Sequence, residues 1–222
     1  MIRISVCIFA KPPVPGKAKT RLACSIGAGP AASLASAMLC DIWSVVCDSH
    51  GVMPVLAAAE EGSFPVAVPE ENFWMQGSGG LGCRLGRILR RGLQSAPAAI
   101  ALGADSPLLM TAHLNDALSG LEKADAVIGP CCDGGFYLLG LRSCPRGLLA
   151  DLPWSTAKTG ERTVARLHDH GMRVRSLRTL PDVDTLADLL LLQEMLRDMP
   201  SDIAPATRSW LAEHESGLRV YG

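Results

Sequence analysis

Four basic side chains follow the first apolar run of the chain, in a segment of eleven residues. They are Lys11, Lys17, Lys19 and Arg21. The apolar run, Ile4 to Phe9, is typical of a buried strand, and the three prolines and the glycine that come next exclude both helix and strand. A loop at the carboxyl end of the first strand usually binds ligand in α/β folds, so this loop predicts a site for phosphate or a similar anion. A solvated basic turn is the alternative, although a plain surface turn needs no such stiffening.

Three carboxylates also come where strands end. Asp105 follows the apolar run Ile100 to Ala104, and Pro107 ends that strand. Asp182 and Asp184 lie two residues apart between a predicted strand and a helix, so alternation along an extended segment puts both on one side. Carboxylates facing a phosphate loop suit Mg²⁺, or Mn²⁺, because such ions prefer hard oxygen ligands. We therefore predict a metal site, with helix capping as the alternative for Asp184.

A glycine-rich segment, Gln76 to Gly82, contains the letters G-x-G-x-x-G. A dinucleotide site is weakly indicated, because no predicted strand directly precedes the segment. The amino end of the following helix could instead offer backbone N–H groups to an anion. Gly79 and Arg84 would then bind the same phosphates as the basic loop. A flexible loop before a helix is the alternative.

Two further segments are candidates for a second substrate. Asp133, Gly134 and Gly135 lie between two apolar runs, where the glycines permit close approach of a ligand and the carboxylate can accept hydrogen bonds from hydroxyls. A hairpin turn is the alternative. Trp154, Ser155 and Thr156 place an aromatic ring beside two hydroxyls in a loop. Ser155 and Thr156 are candidates for binding the acceptor, and Trp154 either forms a lid or wall of the acceptor pocket or lies in the core.

Composition limits the class of protein. The 222 residues are 48% hydrophobic and 19% charged, which predicts one soluble globular domain over 1–222. The net charge of −1 gives no general reason to expect nucleic acid or an acidic membrane surface as a partner. Several of the eight cysteines lie in apolar segments and none forms a C-x-x-C pair, so we expect a reduced, cytoplasmic protein. No feature of the sequence sets an oligomeric state.

Apolar segments of strand and helix length alternate along the chain. This alternation predicts a three-layer α/β/α, Rossmann-like fold with a mainly parallel sheet. The segment 60–79 is expected to be irregular. Strands are predicted at 4–9, 52–59, 98–104, 125–129, 136–141 and 174–180, and helices at 30–47, 81–93, 109–121, 159–170 and 185–197, with a further helix and tail over 205–222.

The segment Lys11 to Leu22 resembles the signature K-x-P-x-P-G-x-x-K-T-R-L of a family of uncharacterised bacterial transferases. This family is related to nucleotidyltransferases and glycosyltransferases of the GT-A fold, including phospholactate guanylyltransferase and molybdenum-cofactor guanylyltransferase. Four further blocks line up in the same order: Gln76 to Arg84, Gly103 to Pro107, Gly129 to Leu141, and Trp154 to Thr156 together with Asp182 to Thr185.

The resemblance implies a nucleotide-diphospho-sugar transferase fold of the GT-A type. The first loop, with Lys11, Pro15 and Gly16, would hold a nucleoside triphosphate or the diphosphate of a nucleotide sugar. The three carboxylates would hold the divalent metal. Gly80 is a departure, because family members often carry Asp at this place, where it could contact the base or the ribose.

These observations favour magnesium-dependent nucleotidyl transfer. A small acceptor that bears a phosphate or a carboxylate would attack the α-phosphorus of a nucleoside triphosphate and release pyrophosphate, while Lys19 and Arg21 neutralise the developing charge. Glycosyl transfer from a nucleotide sugar would use the same metal site and is the alternative. A nucleotide-binding module without catalysis is the alternative of another class.

Overall fold

A seven-stranded sheet forms the centre of the protein. The computed structural model describes residues 3–218, so the predicted tail at 219–222 lies outside the described residues. The order across the sheet is β3-β2-β1-β4-β6-β5-β7, and only β6 runs antiparallel to its neighbours. The strands are β1 (Ile4–Ala10), β2 (Val52–Ala58), β3 (Phe73–Met75), β4 (Ala99–Gly103), β5 (Ala126–Pro130), β6 (Phe136–Leu141) and β7 (Val174–Ser176). The predicted mainly parallel α/β sheet is confirmed.

Helices cover both faces of this sheet. They are α1 (Thr20–Ile26), α2 (Ala28–Cys47), α3 (Leu81–Gly92), α4 (Thr111–Lys123), α5 (Thr159–Asp169), α6 (Leu186–Arg197) and α7 (Pro205–Leu218). Side chains of α2 and α4 pack on one face, and side chains of α3 and α5 pack on the other. β4 shows why a period of two produces both cores: Ile100 and Leu102 face the first layer, and Ala99 and Ala101 face the second.

A third apolar cluster lies beyond the sheet, between α1, α2, α6 and α7. It includes Leu22, Leu108 and Val183, three fully or almost fully buried side chains from three different loops or helix starts. Each of them lies within three residues of Arg21, Asp105 or Asp184 in the sequence. This cluster therefore fixes the backbone from which the predicted site residues project.

Three elements were not predicted: helix α1, a 3₁₀ turn and strand β3. The chain forms helix α1 because no proline or glycine interrupts the residues between Gly16 and Gly27. The segment 60–79 contains a single 3₁₀ turn, Glu70–Asn72, and the short strand β3. The expectation that no strand directly precedes the glycine-rich segment was therefore wrong, since β3 ends at Met75. Three residues are too few to show a periodic pattern.

β2 contains a proline, which the sequence allows only near a strand start or at an edge. Pro54 pairs in register with Val6 of β1 on one side. On the other side β3 pairs only with the stretch from Leu56 to Ala58. Pro54 therefore lies in a part of β2 that has a single neighbouring strand, as expected.

α2 is unusually apolar. In the part of the chain that the structure describes, it is the one helix whose length and composition would suit a membrane span, with a mean hydropathy of 1.5. Half of the apolar stretch of this helix is buried inside the protein, and the side chains of Leu34, Met38 and Ile42 are fully or almost fully buried. This burial is typical of a core helix.

Candidate functional site

The basic loop after β1 folds into a tight turn. The backbone N–H groups of Lys17 and Ala18 both donate to the carbonyl of Val14, at 3.0 and 3.1 Å. Lys19 then precedes α1 as its N-cap residue, with left-handed backbone angles (φ 47°, ψ 49°) that are uncommon for a residue with a side chain. The Lys19 carbonyl accepts the first hydrogen bond of α1, from the N–H of Ala23 at 2.8 Å. The turn thereby fixes the backbone positions from which the basic side chains project.

Lys19 bridges two of the predicted metal ligands. Its Nζ lies 2.5 Å from Oδ1 of Asp105 and 3.0 Å from Oδ1 of Asp184. Its side chain is only 5% exposed, whereas the two carboxylates are about half exposed. Burial alone would lower the pKa of Lys19, but the charges and hydrogen bonds of the two carboxylates together outweigh burial and raise its pKa. The ammonium is therefore a buried cation at the point where two carboxylates converge.

Backbone hydrogen bonds hold these two carboxylates in place. The Val183 N–H donates to the Asp105 carbonyl at 3.0 Å, which ties the two loops together. Thr185 caps α6, with its hydroxyl accepting from the Asp188 N–H. The Asp188 carboxylate accepts in return from the N–H groups of Asp184 and Thr185, at 3.0 and 2.8 Å. Asp184 is therefore positioned by the capping box but is not itself the cap.

Asp182 has different neighbours. It lies with Cys131 and Asp133, and the potential ligand atoms of these three residues are within 4.8 Å of one another. Burial, followed by the charge of Asp133, raises the pKa of Asp182 to about 6. Burial also raises the pKa of the Cys131 thiol, so the thiol is protonated at neutral pH. A role for Asp182 in metal binding stays a prediction.

A cavity of about 460 Å³ opens between the basic loop and α3. Five basic side chains line it: Lys11, Lys17, Lys19, Arg21 and Arg84. Asp105 and Asp184 form its far wall. The structure thus brings together the basic residues that the sequence selected. Pro15, Gly16 and Gly79 lie outside the lining, so their predicted contacts with phosphate stay predictions.

Gln76 orients Arg84 toward this cavity. The glutamine is buried, donates from Nε2 to the Ala57 carbonyl at 2.7 Å, and accepts at Oε1 from Nη1 of Arg84 at 2.8 Å. Arg87 donates to the carbonyls of Gln76 and Ser78. Gln76 was not predicted as a site residue, because a polar residue after an unrecognised three-residue strand carries no signal of burial.

A second cavity, of about 270 Å³, adjoins the first. Its lining includes four carboxylates, those of Asp105, Asp133, Asp182 and Asp184, and no lysine or arginine is among the described residues that line it. Phe136 and Trp154 form an aromatic wall, with ring centroids 6.0 Å apart in an edge-to-face arrangement. Asp105, Asp184 and Ser155 line both cavities and mark their junction.

Most of the residues predicted for the acceptor meet in this second cavity. Asp133, Gly135, Trp154, Ser155 and Thr156 all line it. Gly134 does not, and its role is structural: it has a φ of +86°, and an added Cβ would lie 2.1 Å from the Ala157 carbonyl oxygen. The cavity is also lined by Cys131, Tyr137 and Thr159, which were not predicted because they show no distinctive spacing.

Gly82 joins the two sides of the cleft. A Cβ at this position would lie 1.9 Å from the Leu149 carbonyl oxygen and 2.6 Å from Nε1 of Trp154. The glycine-rich motif therefore ends on a residue that lets α3 pack against the loop carrying Trp154. β3 is an edge strand, whereas dinucleotide folds bind at a reversal of strand order within the sheet, so the motif lacks that context.

The donor set at the junction fits a hard divalent cation. Two carboxylate oxygens from different loops already point at one cationic atom, the Lys19 Nζ. Carboxylates with access to phosphate and water are the ligands that Mg²⁺ uses most in phosphate chemistry. Asp105 and Asp184 are therefore the residues that could hold such an ion.

The doubly covered, mainly parallel sheet carries a cationic and an acidic cavity near the carboxyl ends of its strands, which is where such sheets usually bind ligands. The chain belongs to the family described as an uncharacterized protein conserved in bacteria (DUF2064), whose model matches residues 44–156. No curated protein matches the sequence.

Solved structures show the same fold over most or all of the chain. A protein from Desulfovibrio desulfuricans G20, provisionally described as a nucleotide-diphospho-sugar transferase, is 25% identical, with a TM-score of 0.90 over 100% of this chain and 99% of its own. A CMP:2-keto-3-deoxy-manno-octonic acid synthetase complexed with CTP is 14% identical, with a TM-score of 0.55 over 88% and 98%. The 2-C-methyl-D-erythritol 4-phosphate cytidylyltransferase of Thermus thermophilus is 15% identical, with a TM-score of 0.52 over 88% and 99%. The predicted nucleotide-diphospho-sugar transferase fold is confirmed.

Proposed function

We propose that this protein is a magnesium-dependent nucleotidyltransferase that joins a nucleoside triphosphate to a small acceptor bearing a phosphate or a carboxylate. The observation that carries the proposal is the cationic cavity, in which five basic side chains adjoin the carboxylates of Asp105 and Asp184. A triphosphate carries more negative charge than the diphosphate of a nucleotide sugar, so this concentration of positive charge favours the triphosphate. The fold shared with cytidylyltransferases supports the same class of reaction.

Each part of the cavity has a separate task. Lys11 and Lys17 bind and orient the phosphates from the exposed turn. Arg21 does so from the start of α1, and Arg84 from α3, where Gln76 fixes its direction. Asp105 and Asp184 would hold Mg²⁺ or Mn²⁺, with Asp182 as a predicted further ligand. When bound, the ion would supply charge neutralisation at the phosphate oxygens.

The acceptor enters from the second cavity. Since its described lining has no basic residue, an anionic group of the acceptor finds positive charge only at the junction, beside Lys19. There an acceptor oxygen attacks the α-phosphorus, the bond from the α-phosphorus to the bridging oxygen breaks, and pyrophosphate leaves. A phosphate or carboxylate oxygen is already deprotonated, so no general base is required. Any hydroxyl groups of the acceptor would donate hydrogen bonds to Asp133, beside the aromatic wall.

Pyrophosphate release is the direct test. Each nucleoside triphosphate is incubated with Mg²⁺ and a panel of small phosphates and carboxylates, first with the wild-type protein and then with Asp105→Asn. We expect release with one preferred base, a loss of roughly 10²–10³-fold in Asp105→Asn, and no loss in Asp202→Asn, an exposed carboxylate in the loop before α7. Tight nucleotide binding that needs neither Asp105 nor metal would instead support a binding module without catalysis.

Glycosyl transfer is the second candidate. The second cavity favours it, because an aromatic wall beside carboxylates that accept hydrogen bonds suits a sugar ring. The similar protein from Desulfovibrio desulfuricans carries a description of this kind. Slow hydrolysis of a nucleotide sugar to its diphosphate, without pyrophosphate release from any triphosphate, would favour this reaction over nucleotidyl transfer.

A further inference from the structure

We propose that Lys19 occupies the divalent-cation position of the free protein and exchanges places with the metal when the metal and the nucleotide bind. The inference rests on the proposed function, because it assumes that Asp105 and Asp184 are the metal ligands. It gives Lys19 two successive partners, first these carboxylates and then phosphate.

The position of the ammonium carries this inference. Nζ of Lys19 contacts the same two oxygens, Oδ1 of Asp105 and Oδ1 of Asp184, that a metal ion would need. A Mg²⁺ ion lies about 2.1 Å from its oxygen ligands. An ammonium held 2.5 and 3.0 Å from those oxygens would therefore occupy nearly the same space as the ion and would repel it. The two cations cannot both bind there.

Lys19 differs in this respect from the rest of its loop. The side chains of Lys11, Lys17 and Arg21 are exposed. Lys17 forms an ion pair with Glu60 in which Nζ lies 3.7 Å from Oε1, and both of these side chains are about half exposed. The Lys19 side chain is almost fully buried against the two carboxylates, and its own backbone is in the left-handed region. The turn thus places Lys19 in a backbone conformation that lysine rarely adopts, and the two carboxylates bury its side chain.

A second position is within reach of the same side chain. Lys19 also lines the cationic cavity, together with Thr20, Arg21 and Arg84. A change of side-chain rotamer moves the ammonium from the carboxylates toward bound phosphates without breaking the turn. The incoming metal neutralises the carboxylates that Lys19 leaves, and the phosphates provide its new partner.

This exchange couples the two ligands. Without nucleotide, the metal competes with Lys19 and binds weakly. With phosphates present, the ammonium has another partner and the metal binds more tightly. By linkage, the metal raises the affinity for triphosphate by the same factor.

The test measures Mn²⁺ affinity in the absence of nucleotide, from the electron paramagnetic resonance signal of the free ion. Lys19→Met keeps the aliphatic stem and removes the charge, and we expect it to bind Mn²⁺ roughly tenfold or more tightly than the wild-type protein. The control Lys17→Met removes a charge from the same turn but not from the carboxylates, and its affinity should stay within about twofold of wild type. Lys19→Gln, whose amide can still hydrogen-bond the carboxylates, should repeat the gain if the methionine variant does not fold.

A second titration adds inorganic tripolyphosphate. It should tighten Mn²⁺ binding to the wild-type protein by a larger factor than binding to Lys19→Met, because only the wild-type protein has an ammonium to transfer. Equal Mn²⁺ affinity in wild type and Lys19→Met, without tripolyphosphate, would overturn the exchange and leave the proposed function standing. Absence of Mn²⁺ binding in every variant would overturn both the exchange and the metal requirement.

Discussion

At the scale of single residues, Lys19 and Arg21 were predicted to share one role but have different surroundings in the structure. The sequence assigned both to the neutralisation of charge on phosphate, because they stand two positions apart in one basic loop. Arg21 is exposed and lines the cationic cavity, whereas Lys19 is buried between two carboxylates. Spacing along a turn does not determine which side chain points inward, since that depends on the backbone angles at each residue.

Arg21→Met should lower kcat/KM for pyrophosphate release by roughly 10²–10³-fold, because a cation aimed at the reacting phosphates is lost. The free energy of unfolding should hardly change, because the Arg21 side chain is exposed and substitutions at exposed positions usually alter it by less than about 0.5 kcal/mol. Steady-state assays and urea unfolding of the same samples measure both quantities.

Arg162→Met, an exposed arginine of α5 that lines neither cavity, is the matched control. Its kinetics should equal those of the wild-type protein. Normal turnover in Arg21→Met or in Lys19→Ala would contradict the assignment of the basic loop to catalysis.

At the scale of elements, hydrogen bonds at the starts of helices stabilise the fold locally. α4 begins with a reciprocal cap, in which the Met110 N–H donates to Nδ1 of His113 at 3.0 Å and the His113 N–H donates to the Met110 carbonyl at 2.9 Å. His113 is buried. Burial, and then the nearby charge of Arg178, lowers its pKa, while Asp116 acts in the opposite direction. The cap therefore requires a neutral imidazole, because a protonated Nδ1 cannot accept.

This cap predicts an acid-sensitive contribution to stability. The unfolded chain takes up the proton at the ordinary histidine pKa, near 6.5, and the folded protein takes it up only at lower pH. The contribution is therefore present above about pH 6.5 and is lost as the pH falls toward the lowered pKa of the folded state. Urea midpoints between pH 7.5 and about 5 should fall less steeply in His113→Asn, which keeps an acceptor but does not titrate there.

His170→Asn provides the comparison for this profile, since His170 is exposed at the end of α5. Its pH dependence should follow that of the wild-type protein. An identical slope in His113→Asn and wild type would show that the imidazole of α4 does not contribute.

Gly80 makes the start of α3 a second test at this scale. It is the N-cap residue, with ordinary extended angles (φ −64°, ψ 167°) and open space where a Cβ would point. Gly80→Asp should raise the free energy of unfolding by about 0.5–1 kcal/mol, since it adds a cap and removes freedom from the unfolded chain. Urea unfolding measures this gain.

Gly80→Asp also tests why this protein has glycine at a position where members of the family often carry Asp. Gly80 lies outside the lining of the cationic cavity, so the added carboxylate should change the order of preference among nucleoside triphosphates little. Gly80→Ala separates the loss of glycine from the gain of a charge. A reordered base preference in Gly80→Asp alone would assign this position to base or ribose contact.

At the scale of the whole molecule, the third apolar cluster, to which α7 contributes, stabilises the backbone that carries the site residues. Asp41 of α2 is buried, and its two carboxylate oxygens accept from the N–H groups of Ala206 and Thr207, each at 2.8 Å. One helix thus caps the amino end of another. Through α7, this contact secures the cluster that contains Leu22, Leu108 and Val183.

Asp41→Ala should lower the free energy of unfolding by roughly 2–3 kcal/mol, because it leaves buried N–H groups of α7 without partners. Activity per folded molecule should fall less than about tenfold, since Asp41 touches neither cavity. Urea unfolding and active-site titration separate the two effects. Asp48→Ala, at the exposed end of the same helix, should cost far less, and equal losses in both variants would contradict the capping role.

Long, periodic segments were predictable, and contacts between distant residues were not. α2, α3 and the strand before Asp105 show clear apolar periods, and the convergence of Arg21 and Asp105 follows from the rule that parallel strands end at one edge. The partners of Lys19 depend on the left-handed angles of one residue. The grouping of Asp182 with Cys131 depends on a single parallel bridge between Cys131 and Leu180, which no local period reveals.

The contact at Gly82 has a consequence for motion. Because α3 and the Trp154 loop touch with no room for a single methyl group, they cannot slide past each other. We therefore expect this wall of the cleft to move as a unit, and the exposed turn before α1 to be the part that widens to admit a nucleotide. Amide hydrogens in α3 and in the segment 148–154 should exchange with the solvent at matched rates, and those in the turn should exchange faster.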